Sequence, residues 1–175
     1  MKKIISTGLF LLILLNLLAS CSAFRFGATL YDHDDIIEWL DEAFLEENKI
    51  GGTVYYPNPN YTDRHGSEPE YIRYPDLPTE RTFIITEKEE YEKIFTSSQM
   101  DVDFEKEMVI LYTTSSVNPN PVDLKEIAIA DGVLTISIKF NYPHGPGTVL
   151  PYQRFFVLQM KKAEITEVTF ERDGW

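Results

Sequence analysis

The residue types able to do chemistry are sparse and scattered in this chain. There are three histidines, His33, His65 and His144, and none has a second histidine at a helical ligand spacing, so no zinc motif is present. Asp32, Asp34 and Asp35 crowd together as in a calcium loop, but Ile36 and Ile37 stand where further oxygen ligands and a turn glycine would be needed. These acids read as a helix start. No Gly-x-Ser-x-Gly is present to place a serine nucleophile. His144-Gly145-Pro146-Gly147 faintly suggests an oxyanion loop, yet Pro146 has no backbone donor to offer. Spacing alone identifies no carboxylate pair for glycoside hydrolysis among the 28 acids. The sequence therefore predicts no catalytic residue, no metal site and no cofactor. Two binding features remain. Arg154 opens an apolar strand and can take a carboxylate, either the protein's own or a peptide's. Tyr142, His144 and Tyr152 lie beside it, and with the tyrosines of residues 51–81 they form a candidate aromatic rim for a ligand or partner.

The single cysteine, Cys21, has a more specific context. It follows Lys2, Lys3 and an apolar run from Ile4 to Leu18, interrupted at Asn16. That run is short for the ~20 residues a bilayer span needs, and its layout is that of an export signal. Leu18-Ala19-Ser20-Cys21 resembles the bacterial lipobox, in which the thiol is lipidated and becomes the first mature residue. Residues 1–20 then read as a signal peptide, and the expected location is the cell membrane, anchored through lipidated Cys21 and facing outside the cytoplasm. Lipidation consumes the only thiol, which leaves no disulfide, thiol nucleophile or cysteine-based zinc site.

Losing Lys2 and Lys3 leaves 155 residues with 14 cations, 28 acids and a formal charge of −14. So acidic a body repels phosphate backbones, which excludes nucleic acid as a partner. It also stands off an anionic membrane surface.

The elements that must position these residues follow in order. Residues 21–31 read as a membrane-proximal spacer. Residues 32–50 read as one acidic amphipathic helix capped by Asp32, with Ile36, Ile37, Leu40 and Phe44 on its apolar side. Residues 51–81 hold five prolines and five tyrosines and read as a connecting segment with short edge strands at 53–56 and 71–74. The main domain is expected over 82–175. Phe83-Ile84-Ile85 reads as a strand, and Thr86 with Glu89 as the capping box of a helix over 87–97. Met108 to Tyr112 alternates little, as a central strand covered on both faces would. Residues 113–121 read as a polar loop.

Asp131-Gly132 predicts a two-residue hairpin turn. Its register sets Ala130 opposite Val133, Ile129 opposite Leu134 and Ile127 opposite Ile136. Continued unbroken, it would put Lys125 opposite Ile138, so one extra residue, a β-bulge at Lys125-Glu126, must restore Leu124 to Ile138 and Val122 to Phe140. Strands over 152–160 and 165–171 complete the pattern. The fold class expected is α+β: an antiparallel sheet of about five strands, as a small sandwich or open barrel, with one packed helix and the N-terminal amphipathic helix.

From Thr82 to Glu171 four stretches carry a family likeness. They are Thr86-Glu-Lys-Glu-Glu-Tyr-Glu-Lys-Ile-Phe95, Val102-Asp-Phe-Glu-Lys-Glu-Met-Val-Ile110, Asp131-Gly-Val-Leu-Thr-Ile-Ser-Ile138 and Pro151-Tyr-Gln-Arg-Phe-Phe-Val-Leu158. In these the chain resembles the C-terminal domain of the protease-complex subunit PrcB and related lipoproteins of low-GC Gram-positive bacteria. The family often has a glycine-rich turn after the central strand, whereas residues 113–121 contain no glycine. The resemblance implies a non-enzymatic domain that binds or stabilises a protein partner in the envelope, such as a protease. The alternative is a ligand-binding lipoprotein that captures a peptide, glycan or small molecule through the Tyr-rich segment and the 141–151 loop.

Overall fold

The computed structural model describes residues 27–32, 36–59, 70–117, 120–140 and 150–173. Cys21, Tyr142, His144, Asp34, Asp35 and the other two histidines lie outside the described residues.

The architecture is α+β, built on β5 (Glu107–Ser116) and β8 (Tyr152–Lys161). These pair antiparallel over their whole length, from Glu107↔Lys161 to Ser116↔Tyr152. β4 (Glu80–Ile85) flanks β5 and β1 (Thr29–Tyr31) flanks β8, giving the order β1-β8-β5-β4. Side chains alternate across a strand, and this sheet uses both faces. Met108, Ile110, Tyr112, Phe156, Leu158 and Met160 point to one side and meet a second sheet. Val109, Leu111, Phe155 and Val157 point to the other and meet the helices. The doubly buried central strand read from Met108 to Tyr112 is present, and it runs on to Ser116. Residues 113–116 are therefore strand, and the polar-loop reading fails there because Thr113, Thr114 and Ser116 are buried in the ladder.

The second sheet contains β6 (Val122–Ala130), β7 (Val133–Phe140) and β9 (Glu167–Asp173). The hairpin forms in the expected register, with Ala130↔Val133, Ile129↔Leu134 and Ile127↔Ile136. The ladder shifts between Leu124 and Glu126, after which Leu124↔Ile138 and Val122↔Phe140 resume. Asp131 and Gly132 both have positive φ, 51° and 79°, the left-handed pair that this turn type requires. β9 departs from expectation. It crosses from β8 to the other sheet and pairs parallel with β7, Val133↔Glu167 through Lys139↔Asp173. The sheets are thus mostly antiparallel with one parallel pair, and the described strands number nine.

The helical layer is also shorter than read. The 32–50 helix is two pieces, α1 (Ile36–Trp39) and α2 (Glu42–Glu47). Leu40 leaves the helix to bridge Phe95, and Asp41 restarts it by accepting from the Ala43 and Phe44 amides at 2.9 and 3.0 Å. Asp41 caps α2, while the residues leading into α1, where Asp32 is expected to cap, lie outside the described residues. α3 (Lys88–Ile94) is capped at Glu87 with no side-chain hydrogen bond, so the Thr86–Glu89 capping box is not made. Part of the expected spacer is structural too: residues 29–31 form an edge strand, Leu30 opposite Leu158.

Candidate functional site

The tyrosine-rich segment closes over one end of the β5–β8 ladder. It begins at Gly51, whose amide donates to Pro78 O at 2.8 Å. A Cβ there would stand 2.3 Å from Leu77 O and 2.4 Å from Tyr74 O, so only glycine allows the two backbones to approach. The Tyr55 amide donates to Pro151 O at 2.9 Å, tying the segment to the start of β8. Short strands β2 (Tyr56–Pro57) and β3 (Tyr71–Ile72) pair with each other, more briefly than the 53–56 and 71–74 strands expected. The described parts of the segment are an ordered cover.

Its hub is Tyr56. The hydroxyl accepts from the Ile50 amide at 2.8 Å and donates to Gln153 Oε1 at 2.7 Å, while Gln153 Nε2 donates to Asn48 O at 3.0 Å. Burial pushes the Tyr56 hydroxyl up to about 12, because the phenolate would lose its water. Around it lies an open groove of about 300 Å³ lined by Ile37, Leu45, Glu46, Lys49, Tyr55, Tyr56, Tyr152, Gln153 and Phe155. Ile37 stays 48% exposed at its rim. The nearby cations sit on rings: Lys49 Nζ is 5.5 Å from the centroids of Tyr56 and Tyr74, and the Arg73 guanidinium 5.3 Å from Tyr55. In a chain this acidic, these contacts put positive charge beside the aromatic wall.

Of the expected site residues, Tyr152 lines this groove. Arg154, two residues on, does not. It is 3% exposed, on the same face as Phe156, over whose ring its guanidinium stacks at 4.9 Å. Its Nη2 donates to Asp32 O at 2.8 Å and Asn120 O at 2.9 Å, and lies 3.6 Å from the Asp32 carboxylate, which also accepts from the Val122 amide. Its carboxylate is the protein's own. Arg154 thus fastens the residue after β1 to the approach to β6.

A second concavity, about 330 Å³, adjoins the cover on its other side. Thr53, Thr79, Thr114, Ser115, Ser116 and Arg172 supply its polar wall. Nothing in the spacing of these residues announces it, since two strands and two loops distant in the chain meet there. Arg172 is further engaged with Glu80 Oε2 at 2.6 Å and Tyr112 Oη at 2.8 Å, and Tyr112 donates to Glu80 Oε2 at 2.7 Å.

Among the described residues no group of three or more His, Cys, Asp or Glu could hold a metal ion, and no helix is long and apolar enough to cross a membrane. Comparison with protein-family models, curated proteins and solved structures finds no match to this chain.

Proposed function

We propose that this chain is a non-enzymatic binding domain, tethered by a lipidated Cys21 to the outer side of a bacterial membrane, that grips a segment of a protein partner in the tyrosine groove. The observation that carries the reading is the groove itself. Both faces of the main sheet are occupied, one by the second sheet and one by the helices, while the groove leaves Ile37 exposed beside Tyr55, Tyr56 and Tyr152. Tyrosines give wide contact area and a polar tip at low entropic cost, which suits recognition of another chain. An envelope protease is the partner that the resemblance to the PrcB domain suggests. The anchor is tested by Cys21→Ser, which should leave the protein unprocessed or release it; firm attachment of a processed variant would contradict it. The partner is tested with a photocrosslinking residue at Ile37 in native membranes. A reproducible protein adduct that disappears with Tyr152→Ala supports the reading, and its absence, or an identical adduct from exposed Lys139, overturns it.

A second reading has its own observation, the hydroxyl-lined cavity at Thr114, Ser115, Ser116 and Arg172. Its chemistry suits a small polar ligand, a peptide end, glycan or metabolite. Tyr152 does not line it, so binding there should survive Tyr152→Ala and fall with Ser115→Leu.

A further inference from the structure

We infer that the domain stands with the tyrosine groove pointing away from the membrane, so that the groove meets partner segments held well above the lipid and not those at its surface; this rests on the lipid anchor proposed above. The first described residue, Gly27, follows Cys21 by six positions. A chain of that length spans at most roughly 22 Å even when fully extended. Whatever its conformation, the anchor therefore holds the domain close to lipid by the end at which β1 begins.

The pairing fixes which end that is. Thr29 sits opposite Gln159, near the C-terminal end of β8, and a Cβ on Gly27 would lie 3.5 Å from Lys161 Cε. Glu107, the first residue of β5, is opposite Lys161. The groove is at the other end, where Tyr152 and Gln153 open β8. From Gln159 to Tyr152 the strand advances roughly 23 Å at the usual rise per residue. Tether and groove therefore occupy opposite ends of one rigid strand at the centre of the fold. A net charge of −14 after processing opposes the remaining posture, the body lying flat on anionic lipid.

The orientation is measured on the full lipidated protein in vesicles of phosphatidylglycerol and phosphatidylcholine carrying a headgroup quencher. Lipidated Cys21 is unreactive, so a fluorophore goes on Lys162→Cys at the tether end or Leu150→Cys at the groove end; both side chains are exposed. Quenching severalfold stronger at 162 than at 150 is expected, and a long Gly-Ser insertion before Gly27 should shrink that difference. Equal quenching at both positions, or the reverse order, in membrane-bound protein overturns the orientation while leaving the anchor intact. Protein that never associates with vesicles overturns the anchor, and the orientation with it.

Discussion

Tyr112 of the main sheet and Phe170 of β9 stack with ring centroids 3.8 Å apart and planes 7° from parallel. This contact joins two sheets that share no backbone ladder, and Arg172, two residues beyond Phe170, adds the polar half of the joint through Glu80 and the Tyr112 hydroxyl. The aromatic and ionic parts are carried by the same three strands, β4, β5 and β9. Tyr112→Phe keeps the stack and deletes only the hydroxyl. It should lower stability by about 1–3 kcal/mol, since it removes hydrogen bonds to charged partners. Urea unfolding measures this, with an unchanged slope and a lower midpoint expected.

The same hydroxyl predicts an alkaline limit. Burial, then the hydrogen bond to Glu80, push Tyr112 up to about 12, and burial does the same for Tyr56. In the unfolded chain both ionise near 10. A folded value above the unfolded one means the native state holds its proton longer. That contribution is complete below pH 10 and is lost as pH rises from 10 towards 12. Stability should fall across that window. Burial pushes Tyr91 up as well, so tyrosinate absorbance should show a late-ionising class that includes Tyr56, Tyr91 and Tyr112 and loses one member in Tyr112→Phe.

Arg154→Met should be a folding defect, not a binding defect. The substitution leaves Asp32 facing a buried face without its cation and strips the Asp32 and Asn120 carbonyls of their donor. Breaking a buried pair from one side costs about 3 kcal/mol or more. A sharply lower melting temperature is expected, with the groove adduct at Ile37 retained in the protein that remains folded. Full stability together with lost binding would mean that Arg154 serves a ligand.

Gly51→Ala separates the cover from the body. The new methyl group meets two backbone carbonyls, Leu77 O and Tyr74 O, which cannot yield as a side-chain end can. The sandwich core is elsewhere, so the two sheets should persist. Amide exchange should accelerate at Gly51 and Tyr55, whose hydrogen bonds reach Pro78 and Pro151, while β5 and β8 stay protected. Uniform acceleration would show that the cover and the core unfold together.

What could be read from the chain divides by physical range. The β6–β7 hairpin, down to the extra residue at Lys125, was legible because a two-residue turn fixes the register and one buried face punishes any slip. Arg154 was half legible. Alternation alone puts it on the face of Phe156, Leu158 and Met160, which makes an internal partner the natural outcome. The break at Leu40-Asp41 was not, because an apolar residue at helical spacing reads the same whether it continues a helix or leaves it to bridge Phe95. Nor was the passage of β9 to the second sheet, where its partner β7 is separated by an intervening strand of the other sheet. The groove was legible only as composition. Tyr56, Lys49 and Gln153 converge through contacts between residues as far apart as 97 positions, and no local pattern encodes them.

The pairing of β1 with β8 also sets an order of events. Thr29 cannot find Gln159 until some 130 later residues exist, and β9 completes the second sheet later still. Such non-local topology folds slowly, because loop closure must precede the contacts that reward it. A chain threaded N-terminus first through a narrow channel would arrive on the far side with its earliest strand unpaired and its hydrophobic centre, β5 and β8, assembled only near the end of transit. In such a passage the fold would complete late, leaving the polypeptide pliable for most of the transit.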